Sequence, residues 1–178
     1  MFPIDRSINS IFSSISNPFF NNAFYIATWL FNFWPFCILL LFTVLVAWKW
    51  SSPHERKRTI ILLIGSPVLA AVLTWILKFT FNIARPINER LQVFGPSFPS
   101  SHTAVATAYF LILLHFARQT KNKYRRIVHY LFCILCPVFV GVSRLYFEVH
   151  WFSDVLAGYI LGAFSVYVVI RLFKRTNL

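Results

Sequence analysis

Acidic residues are scarce in this sequence, and so is charge in general. Only 5 of the 178 residues are Asp or Glu, against 17 Lys or Arg, and charged residues make up 12% of the chain. A soluble domain carries about 25% charged and about 45–50% apolar residues, whereas this chain is 58% hydrophobic with a mean hydropathy of +0.65. Three cysteines exclude a disulfide-dense secreted scaffold. The composition indicates a membrane protein, in which basic loops or a nucleic-acid partner would explain the net charge of +12.

The apolar residues are grouped in five stretches, each close to the roughly 20 residues that a membrane-spanning helix needs. The second stretch contains one charged side chain, Lys78, and the third becomes long enough when residues 100–102 are added. The predicted spans are residues 24–48, 59–83, 103–117, 127–142 and 155–172. The sequence therefore predicts an all-α polytopic membrane bundle of five transmembrane helices, forming one domain over residues 1–178.

The first residues of the chain show a different pattern. Apolar side chains recur at helical spacing along an otherwise polar segment: Ile4, Ile8, Ile11, Phe12 and Ile15. Such a stripe is typical of an amphipathic helix that lies in the membrane interface, and Pro18 is expected to end it. A cleaved signal peptide fits this segment poorly, because no basic region precedes a short apolar core.

The basic residues separate into two groups by position. Twelve of the 17 belong to loops or ends on one predicted face: Lys49, Arg56, Lys57, Arg58, Arg118, Lys121, Lys123, Arg125, Arg126, Arg171, Lys174 and Arg175. By the positive-inside rule this face, with the C-terminus, is cytoplasmic, and loops 84–102 and 143–154 are outside. Lipid-headgroup or nucleic-acid binding is the alternative for these clusters, but topology suffices to explain them.

The other five cations are assigned to the outer side: Arg6, Lys78, Arg85, Arg90 and Arg144. Lys78 and Arg85 are seven residues apart, which is about two helical turns, so they share one helix face. An ionisable group inside a membrane segment suggests a functional role. For Lys78 the alternative is that its side chain merely reaches to the membrane interface.

Two outer loops carry further polar groups. Residues 98–103 read FPSSHT and lead into the third predicted helix. A helix start can bind an anion, although a plain serine cap is the alternative, and His102 stands where such an anion would lie. In the loop before the fifth helix, His150 and Asp154 are spaced i, i+4 and so share one helix face. A carboxylate on one imidazole nitrogen leaves the other free to attack or to accept a proton; a plain helix contact is the alternative.

Together these residues fit phosphoryl transfer. Three cations, a serine-rich helix start, two histidines and one aspartate are all assigned to one membrane face. The reaction needs positive groups for the phosphate oxygens, a nucleophile, and an acid for the leaving group. Two His and one Asp are also possible zinc ligands, but the three nearby cations would repel the ion.

The spacing of these residues resembles the three-part signature of the type 2 phosphatidic acid phosphatase superfamily. The three motifs stand in the family's order: Lys78-x6-Arg85-Pro86, Pro99-Ser100-Ser101-His102 and Ser143-Arg144-x5-His150-x3-Asp154. The match runs from the second predicted helix to the fifth. Ser101 departs from the family's usual glycine; it keeps the backbone N–H but adds a hydroxyl, which bears on pocket shape more than on chemistry.

The resemblance implies a two-step hydrolysis that uses neither a metal nor another cofactor. His150 would attack phosphorus and form a phosphohistidine, Asp154 would orient its ring, and His102 would protonate the leaving oxygen. The phosphate would be held by side chains and backbone N–H groups from all three motifs: Lys78, Arg85, Ser100, Ser101 and Arg144.

Family members of similar length are typically bacterial lipid phosphatases of the cytoplasmic membrane. The resemblance and the outward site therefore imply a membrane lipid phosphate as substrate, with undecaprenyl pyrophosphate preferred and phosphatidylglycerol phosphate or the 1-phosphate of lipid A as alternatives. A membrane transporter or scaffold with an anion site is a competing class. A haloperoxidase has similar anion-binding motifs on a soluble helical fold, which the five apolar segments disfavour. No nucleic-acid partner is expected, and the oligomeric state is left open.

A few other residues are interpreted without a catalytic role. Cys133 and Cys136 lie within the fourth apolar stretch, where packing is favoured over a redox or metal pair, and Cys37 is likewise expected in the core. Glu148 is expected either to pair with Arg144 or Arg90 or to contact the substrate.

Overall fold

The computed structural model describes residues 2–15, 17–87, 89–118 and 120–175, with residues 174 and 175 described by their backbone only. These residues form seven α-helices and no strand, which confirms the predicted all-α class. The helices are α1 (Pro3–Ser13), α2 (Pro18–Leu30), α3 (Phe33–Trp50), α4 (Pro53–Phe81), α5 (Ser101–Ala117), α6 (Lys123–Tyr146) and α7 (Phe152–Arg175).

The chain is a multi-pass membrane protein. Within its described part, four helices are long and apolar enough to cross a bilayer, namely α3, α4, α6 and α7. The apolar helix α5 has 17 residues, or about 25 Å at 1.5 Å per residue, and is therefore shorter than the roughly 30 Å hydrocarbon core. The last four predicted spans overlap α4 to α7 in order.

The first predicted span, residues 24–48, is wrong in its bounds. The chain breaks there, because α2 ends at Leu30 and α3 begins at Phe33. Asn32 is the N-cap of α3 with extended backbone, and Pro35 falls in the first turn, where its missing N–H leaves no bond unmade. Proline at this place favours a new helix start over a continuous helix. Because the residues on both sides of the break are mostly apolar, the hydropathy pattern of residues 24–48 does not reveal it.

The amphipathic helix α1 is present but shorter than predicted. It ends at Ser13, and Pro18 is instead the first residue of α2, where its fixed φ suits a helix start. Its polar side faces the protein, since Asp5 and Asn9 are buried and the helix packs against α6 and α7. The apolar residues of the other side are exposed: Ile4, Ile11 and Ile15. This polarity fits a helix that rests on the bilayer surface.

Helix α5 lies at the centre of the bundle and packs against α4, α6 and α7. Its approach to α7 is close because two glycines of α7 face it. A Cβ at Gly158 would lie 2.9 Å from the Ser100 carbonyl oxygen, and one at Gly162 would lie 2.5 Å from that of Ala104. Small residues permit such close packing of membrane helices. The N-termini of α5 and α7 therefore meet, and the Ser100 N–H donates to the Asp154 carbonyl at 3.1 Å.

The connections sort the loops to two ends of the bundle. Residues 51–52 and 118–122 join helices at one end, and the longer loops 82–100 and 147–151 lie at the other. The predicted cytoplasmic cations belong to the first end; the side chains of Lys174 and Arg175 lie outside the described residues.

The prediction for Cys37 is wrong. Its side chain is exposed, whereas Cys133 is buried as expected and Cys136 is half-buried. Helix α3 has no buried residue among those described. Its most exposed apolar side chains, such as Ile38 and Phe42, are directed outward, as expected of a helix whose surroundings are lipid, whereas Phe36 and Leu39 pack against the core. An apolar position in the sequence therefore does not imply a place in the protein core.

Candidate active site

The residues of the three motifs lie at the end of the bundle where α4 finishes and α5 and α7 begin. Lys78 belongs to the last turn of α4. Its Nζ donates to the carbonyl oxygens of Pro96 at 2.5 Å and Ser97 at 3.1 Å. The ammonium group therefore points into the loop that precedes α5, and not simply toward the membrane interface.

Arg85 lies in the loop after α4, which ends at Phe81, so the prediction that it shares a helix face with Lys78 is wrong. From this position Arg85 links the two outer loops. Its Nε donates to the Gly95 carbonyl at 2.9 Å, its Nη2 to Pro96 at 3.2 Å, and its Nη1 to Val149 at 2.6 Å. The same Nη1 lies 3.4 Å from Nε2 of His150. Burial lowers the pKa of Arg85, but a guanidinium stays protonated in proteins. The loops thus hold a fixed positive charge against the imidazole of His150.

His150 and Asp154 form a buried pair at the start of α7. Nδ1 of His150 donates to Oδ2 of Asp154 at 3.2 Å, and the two side chains are 2% and 1% exposed. The same Oδ2 accepts the backbone N–H of Trp151 at 2.9 Å, so the carboxylate is held from two sides. Because Nδ1 is engaged by Asp154, Nε2 is the ring nitrogen that lies against Arg85.

The surroundings of His150 keep its ring neutral. Burial, followed by the charges of Arg144, Arg85 and Lys78, lowers the pKa of His150 well below its ordinary value. A neutral imidazole with its proton on Nδ1 has a lone pair on Nε2. This is the state in which histidine acts as a nucleophile or a base.

Arg144 is buried in the last turn of α6 with 1% of its surface exposed. Its Nη1 donates to Oγ1 of Thr28 at 3.2 Å, and Thr28 in turn shares a hydrogen bond of 3.1 Å with Oγ of Ser143. Nε of Arg144 has no hydrogen-bond partner within the described chain. Such a donor is available to an anion in the site.

The second motif forms the start of α5. Ser100 is the fully buried N-cap, and its Oγ accepts the hydroxyl proton of Thr103 at 2.9 Å. Ser101 is the first helical residue, and its N–H, with that of His102, belongs to the first turn, whose N–H groups have no intrahelical partner. The ring of His102 is half-buried, and its Nε2 lies 2.9 Å from Oδ1 of Asn32.

All eight predicted site residues therefore stand at one end of the bundle. Direct contacts join His150 to Asp154 and to Arg85, and Ser100 to Asp154. Of the other four, Lys78, Arg144 and His102 hydrogen-bond groups outside the motifs, and Ser101 follows Ser100 at the start of α5. In the portion of the chain described, no group of three or more His, Cys, Asp or Glu could hold a metal ion.

Residues 59–178 match the family model of the PAP2 superfamily. The chain belongs to this family. Phosphatidylglycerophosphatase B of Bacillus subtilis is 28% identical over 131 residues, which cover 62% of this chain and 64% of that protein. Undecaprenyl-diphosphatase of Sulfolobus acidocaldarius is 31% identical over 126 residues, which cover 66% of this chain and 57% of that protein. The match thus spans less than two thirds of the length of either relative.

The fold is that of a solved PAP2 protein. The crystal structure of a transmembrane PAP2 type phosphatidylglycerolphosphate phosphatase from Bacillus subtilis matches with a TM-score of 0.83 at 20% identity, covering 97% of this chain and 85% of that one. The family resemblance inferred from the three motifs is confirmed.

The PAP2 match begins at residue 59, yet helix α2, which precedes it, reaches the site. Thr28 in the last turn of α2 contacts Arg144, and Asn32 just beyond this helix contacts His102. The sequence prediction assigned neither residue a function. The available signal was weak: two polar side chains, four residues apart, in an apolar stretch.

Two charged side chains, those of Asp5 and Arg90, anchor α1 beside the PAP2 motifs. The carboxylate of Asp5, 1% exposed, accepts the backbone N–H of Ser153 at 2.9 Å and its hydroxyl at 3.1 Å, next to Asp154. Arg90 pairs with Glu148 at 3.3 Å, which is one of the roles expected for Glu148. The Arg90 guanidinium also donates to carbonyl oxygens at the end of α1, those of Phe12, Ser13 and Ile15.

Two cavities open beside the site. One of about 400 Å³ separates α2 from residues 91–94 and is lined by His102 and Arg144 together with Tyr25, Trp29 and Phe94. The other, of about 650 Å³, lies between α1 and Arg85 and has Arg6 and Trp151 in its wall. The first cavity gives direct access to two motif residues from the outer surface of the bundle.

Proposed function

We propose that this chain is a lipid phosphatase that hydrolyses a phosphomonoester or pyrophosphate lipid through a phosphohistidine on His150. The observation that supports this most strongly is the state of that residue. It is buried, its Nδ1 is held by Asp154, and its Nε2 lies 3.4 Å from Arg85. A neutral imidazole aimed at fixed positive charge is what nucleophilic attack on a phosphate requires.

The reaction then has two steps. In the first, the lone pair of His150 Nε2 attacks phosphorus, the bond to the lipid oxygen breaks, and His102, acting as the doubly protonated imidazolium, gives one proton to that oxygen and becomes neutral. In the second, a water molecule attacks phosphorus and gives a proton to His102, the P–N bond breaks, and inorganic phosphate leaves. Lys78, Arg85 and Arg144 stabilise the charge on the phosphoryl oxygens in both steps.

The cavity between α2 and residues 91–94 supports a lipid substrate. Because His102 lines it, a leaving group that occupies it receives the proton directly. Its wall also includes Trp29, 50% exposed, and Phe94, 95% exposed. Apolar surface of this kind, open to the side of a membrane bundle, suits the chain of a lipid that enters from the bilayer.

We further propose undecaprenyl pyrophosphate as the first substrate to test, at the outer face of the cytoplasmic membrane. The positive-inside distribution supports this orientation, since the basic loops lie opposite the site. The names of the relatives support undecaprenyl diphosphate and phosphatidylglycerol phosphate alike. The 1-phosphate of lipid A completes the set of substrates.

The test is phosphate release by purified protein from each of these lipids in the presence of EDTA. We expect release from at least one lipid, inhibition by vanadate, and loss of turnover in His150→Ala. Full turnover in His150→Ala would exclude the phosphohistidine mechanism. A folded protein that releases phosphate from none of the lipids would instead favour a transporter or scaffold with an anion site.

The orientation has its own test. A cysteine placed by Lys121→Cys, in the basic loop, should be inaccessible to an impermeant thiol reagent outside intact cells. Ile87→Cys is the matched probe at the other end, where the wild-type side chain is 97% exposed. Labelling of the first and not of the second would invert the proposed topology.

A further inference from the structure

We propose that helix α2 positions two groups of the phosphatase site: His102, through Asn32, and Arg144, through Thr28. Neither residue touches the reacting atoms in this assignment, so both are positioning residues. The inference rests on the proposed phosphatase activity. It assigns a role to a segment that precedes the PAP2 match.

Thr28 supplies a fixed contact to a buried cation. Its side chain is 6% exposed, and its hydroxyl both accepts from Arg144 Nη1 at 3.2 Å and shares a hydrogen bond with Ser143 at 3.1 Å. A guanidinium is planar, so one bond at Nη1 restricts the direction of the remaining N–H groups. Thr28 therefore sets the plane in which Arg144 offers its free Nε–H to the phosphate.

Asn32 acts on the ring of His102. With Oδ1 at 2.9 Å from Nε2, the amide oxygen accepts a hydrogen bond from the Nε2–H group, which leaves Nδ1 for proton transfer. The arrangement parallels the contact of His150 with Asp154, but the partner is neutral. That difference suits the two roles, because a nucleophilic ring becomes positively charged on attack and gains from a carboxylate, whereas an acid must release its proton.

The break between α2 and α3 fixes Asn32 in place. As the N-cap of α3 it has extended backbone, with φ −69° and ψ 158°, and its carbonyl accepts the N–H of Phe36 at 3.0 Å. Its own N–H donates to Trp29 at 3.0 Å. Both backbone polar groups are thus engaged, and the side chain is held at the rim of the cavity that His102 also lines.

The Asn32 arm of the test compares Asn32→Ala with Asn22→Ala. Asn22 is an exposed asparagine on α2 and serves as the matched control. General acid catalysis contributes about 10²–10⁴-fold, so a misplaced acid should lower kcat on an alkyl lipid phosphate by roughly 10–100-fold. On p-nitrophenyl phosphate, whose leaving group needs no proton, we expect less than about a threefold loss. The role of Asn32 would be overturned if Asn32→Ala lost the same factor in kcat on both substrates. It would also be overturned if Asn32→Ala and Asn22→Ala had the same kcat on the lipid phosphate.

A double variant checks that Asn32 works through His102. If it does, adding Asn32→Ala to His102→Ala should cost nothing further, because the acid is already absent. Multiplicative losses would show that Asn32 acts elsewhere. The p-nitrophenyl substrate keeps the residual rate measurable in both variants.

The Thr28 arm uses two substitutions of similar size. Thr28→Val removes the hydroxyl, and a hydrogen bond to a charged group is worth about 1.5–3 kcal/mol, so kcat/KM should fall by about 10–100-fold with a parallel loss of vanadate affinity. Thr28→Ser keeps the hydroxyl and should stay within about threefold of wild type. Equal effects of Val and Ser would refute the positioning role. If wild-type protein releases no phosphate, the proposed function fails; if it does and these variants match Asn22→Ala, this inference fails.

Discussion

Replacing Gly162 by alanine should weaken both the fold and the site, although this residue is remote from the phosphate. A Cβ there would lie 2.5 Å from the Ala104 carbonyl oxygen and 2.6 Å from Cβ of Thr107. Non-bonded heavy atoms of this kind prefer about 3.5 Å, so α5 and α7 would have to separate by about 1 Å. Gly162 follows Asp154 by eight residues, or about 12 Å along α7.

The magnitude follows from two separate consequences of that separation. Overpacking of this type costs about 1–3 kcal/mol of stability. At the N-termini, the bond from Ser100 N–H to the Asp154 carbonyl starts at 3.1 Å and would break, which moves the second motif away from His150. A misplacement of about 1 Å in an active site lowers the rate about 10²-fold. Gly158→Ala presses on Ser100 itself, at 2.9 Å, and should act on turnover at least as strongly.

The assay is thermal unfolding in detergent together with kcat on a lipid phosphate. Gly65→Ala is the matched control, because a Cβ at this helical glycine would meet only the Val169 methyl groups, at 3.4 Å or more. Alanine is favoured over glycine inside a helix by about 0.5–1 kcal/mol, so this variant should be neutral or slightly more stable. Wild-type stability and turnover in Gly162→Ala, or an equal loss in Gly65→Ala, would refute the close-packing argument.

Three further outcomes are expected. The ring of His150 should remain neutral at pH 6.5 and titrate only at lower pH, because burial and the neighbouring cations lower its pKa. NMR can follow this titration, with the His150 signal assigned as the one that disappears in His150→Asn. Titration at or above the ordinary value of about 6.5 would contradict this environment. Asp5→Ala should lower the free energy of unfolding by about 1–2 kcal/mol, because the start of α7 loses a hydrogen-bond acceptor; thermal unfolding measures this. Asp5→Asn keeps an acceptor and should lose less stability. Equal losses in the two variants would argue against the contact with Ser153. Arg90→Gln should lower the free energy of unfolding by about 2–3 kcal/mol, because Glu148, 4% exposed, loses its charged partner. Unchanged stability in thermal unfolding would show that this pair contributes nothing.

The motif residues could be predicted from sequence because phosphoryl transfer needs particular residue types at particular spacings along the chain. Lys78 and Arg85 are seven residues apart, and His150 and Asp154 are four apart. The motif spacing located these residues correctly, although α4 ends before Arg85 and α7 begins after His150. Such local spacings survive in the sequence whatever the rest of the fold does. Hydrophobic runs likewise indicated α4 to α7, since a bilayer demands long apolar helices.

The parts that failed depend on tertiary contacts or on lipid. Thr28 and Asn32 meet partners that lie 116 and 70 residues away along the chain, and no local pattern marks such a pair. The α2–α3 break was hidden because both sides of it are apolar. Cys37 was assigned to the core by a rule for soluble proteins, whereas apolar side chains of a membrane helix also face outward. Asp5 carried a signal, as an acidic residue where acidic residues are rare, but its partner Ser153 was not predictable.

The charge of the site bears on which phosphates it accepts. Its three cations hydrogen-bond neutral groups: Lys78 and Arg85 bind backbone carbonyls, and Arg144 binds the hydroxyl of Thr28. Neutral dipoles satisfy the donors without cancelling their charge, while Asp154 contacts His150 and Glu148 is engaged by Arg90. Among the groups of the three motifs, three cations against the single carboxylate of Asp154 leave two positive charges, which a terminal phosphate of charge about −1.5 to −2 would balance. A phosphodiester carries a single negative charge and would leave one cation uncompensated in a buried site, where that is costly. Under the proposed function, the same charge balance that binds a terminal phosphate therefore disfavours the ordinary phosphodiester lipids that surround the protein in the bilayer.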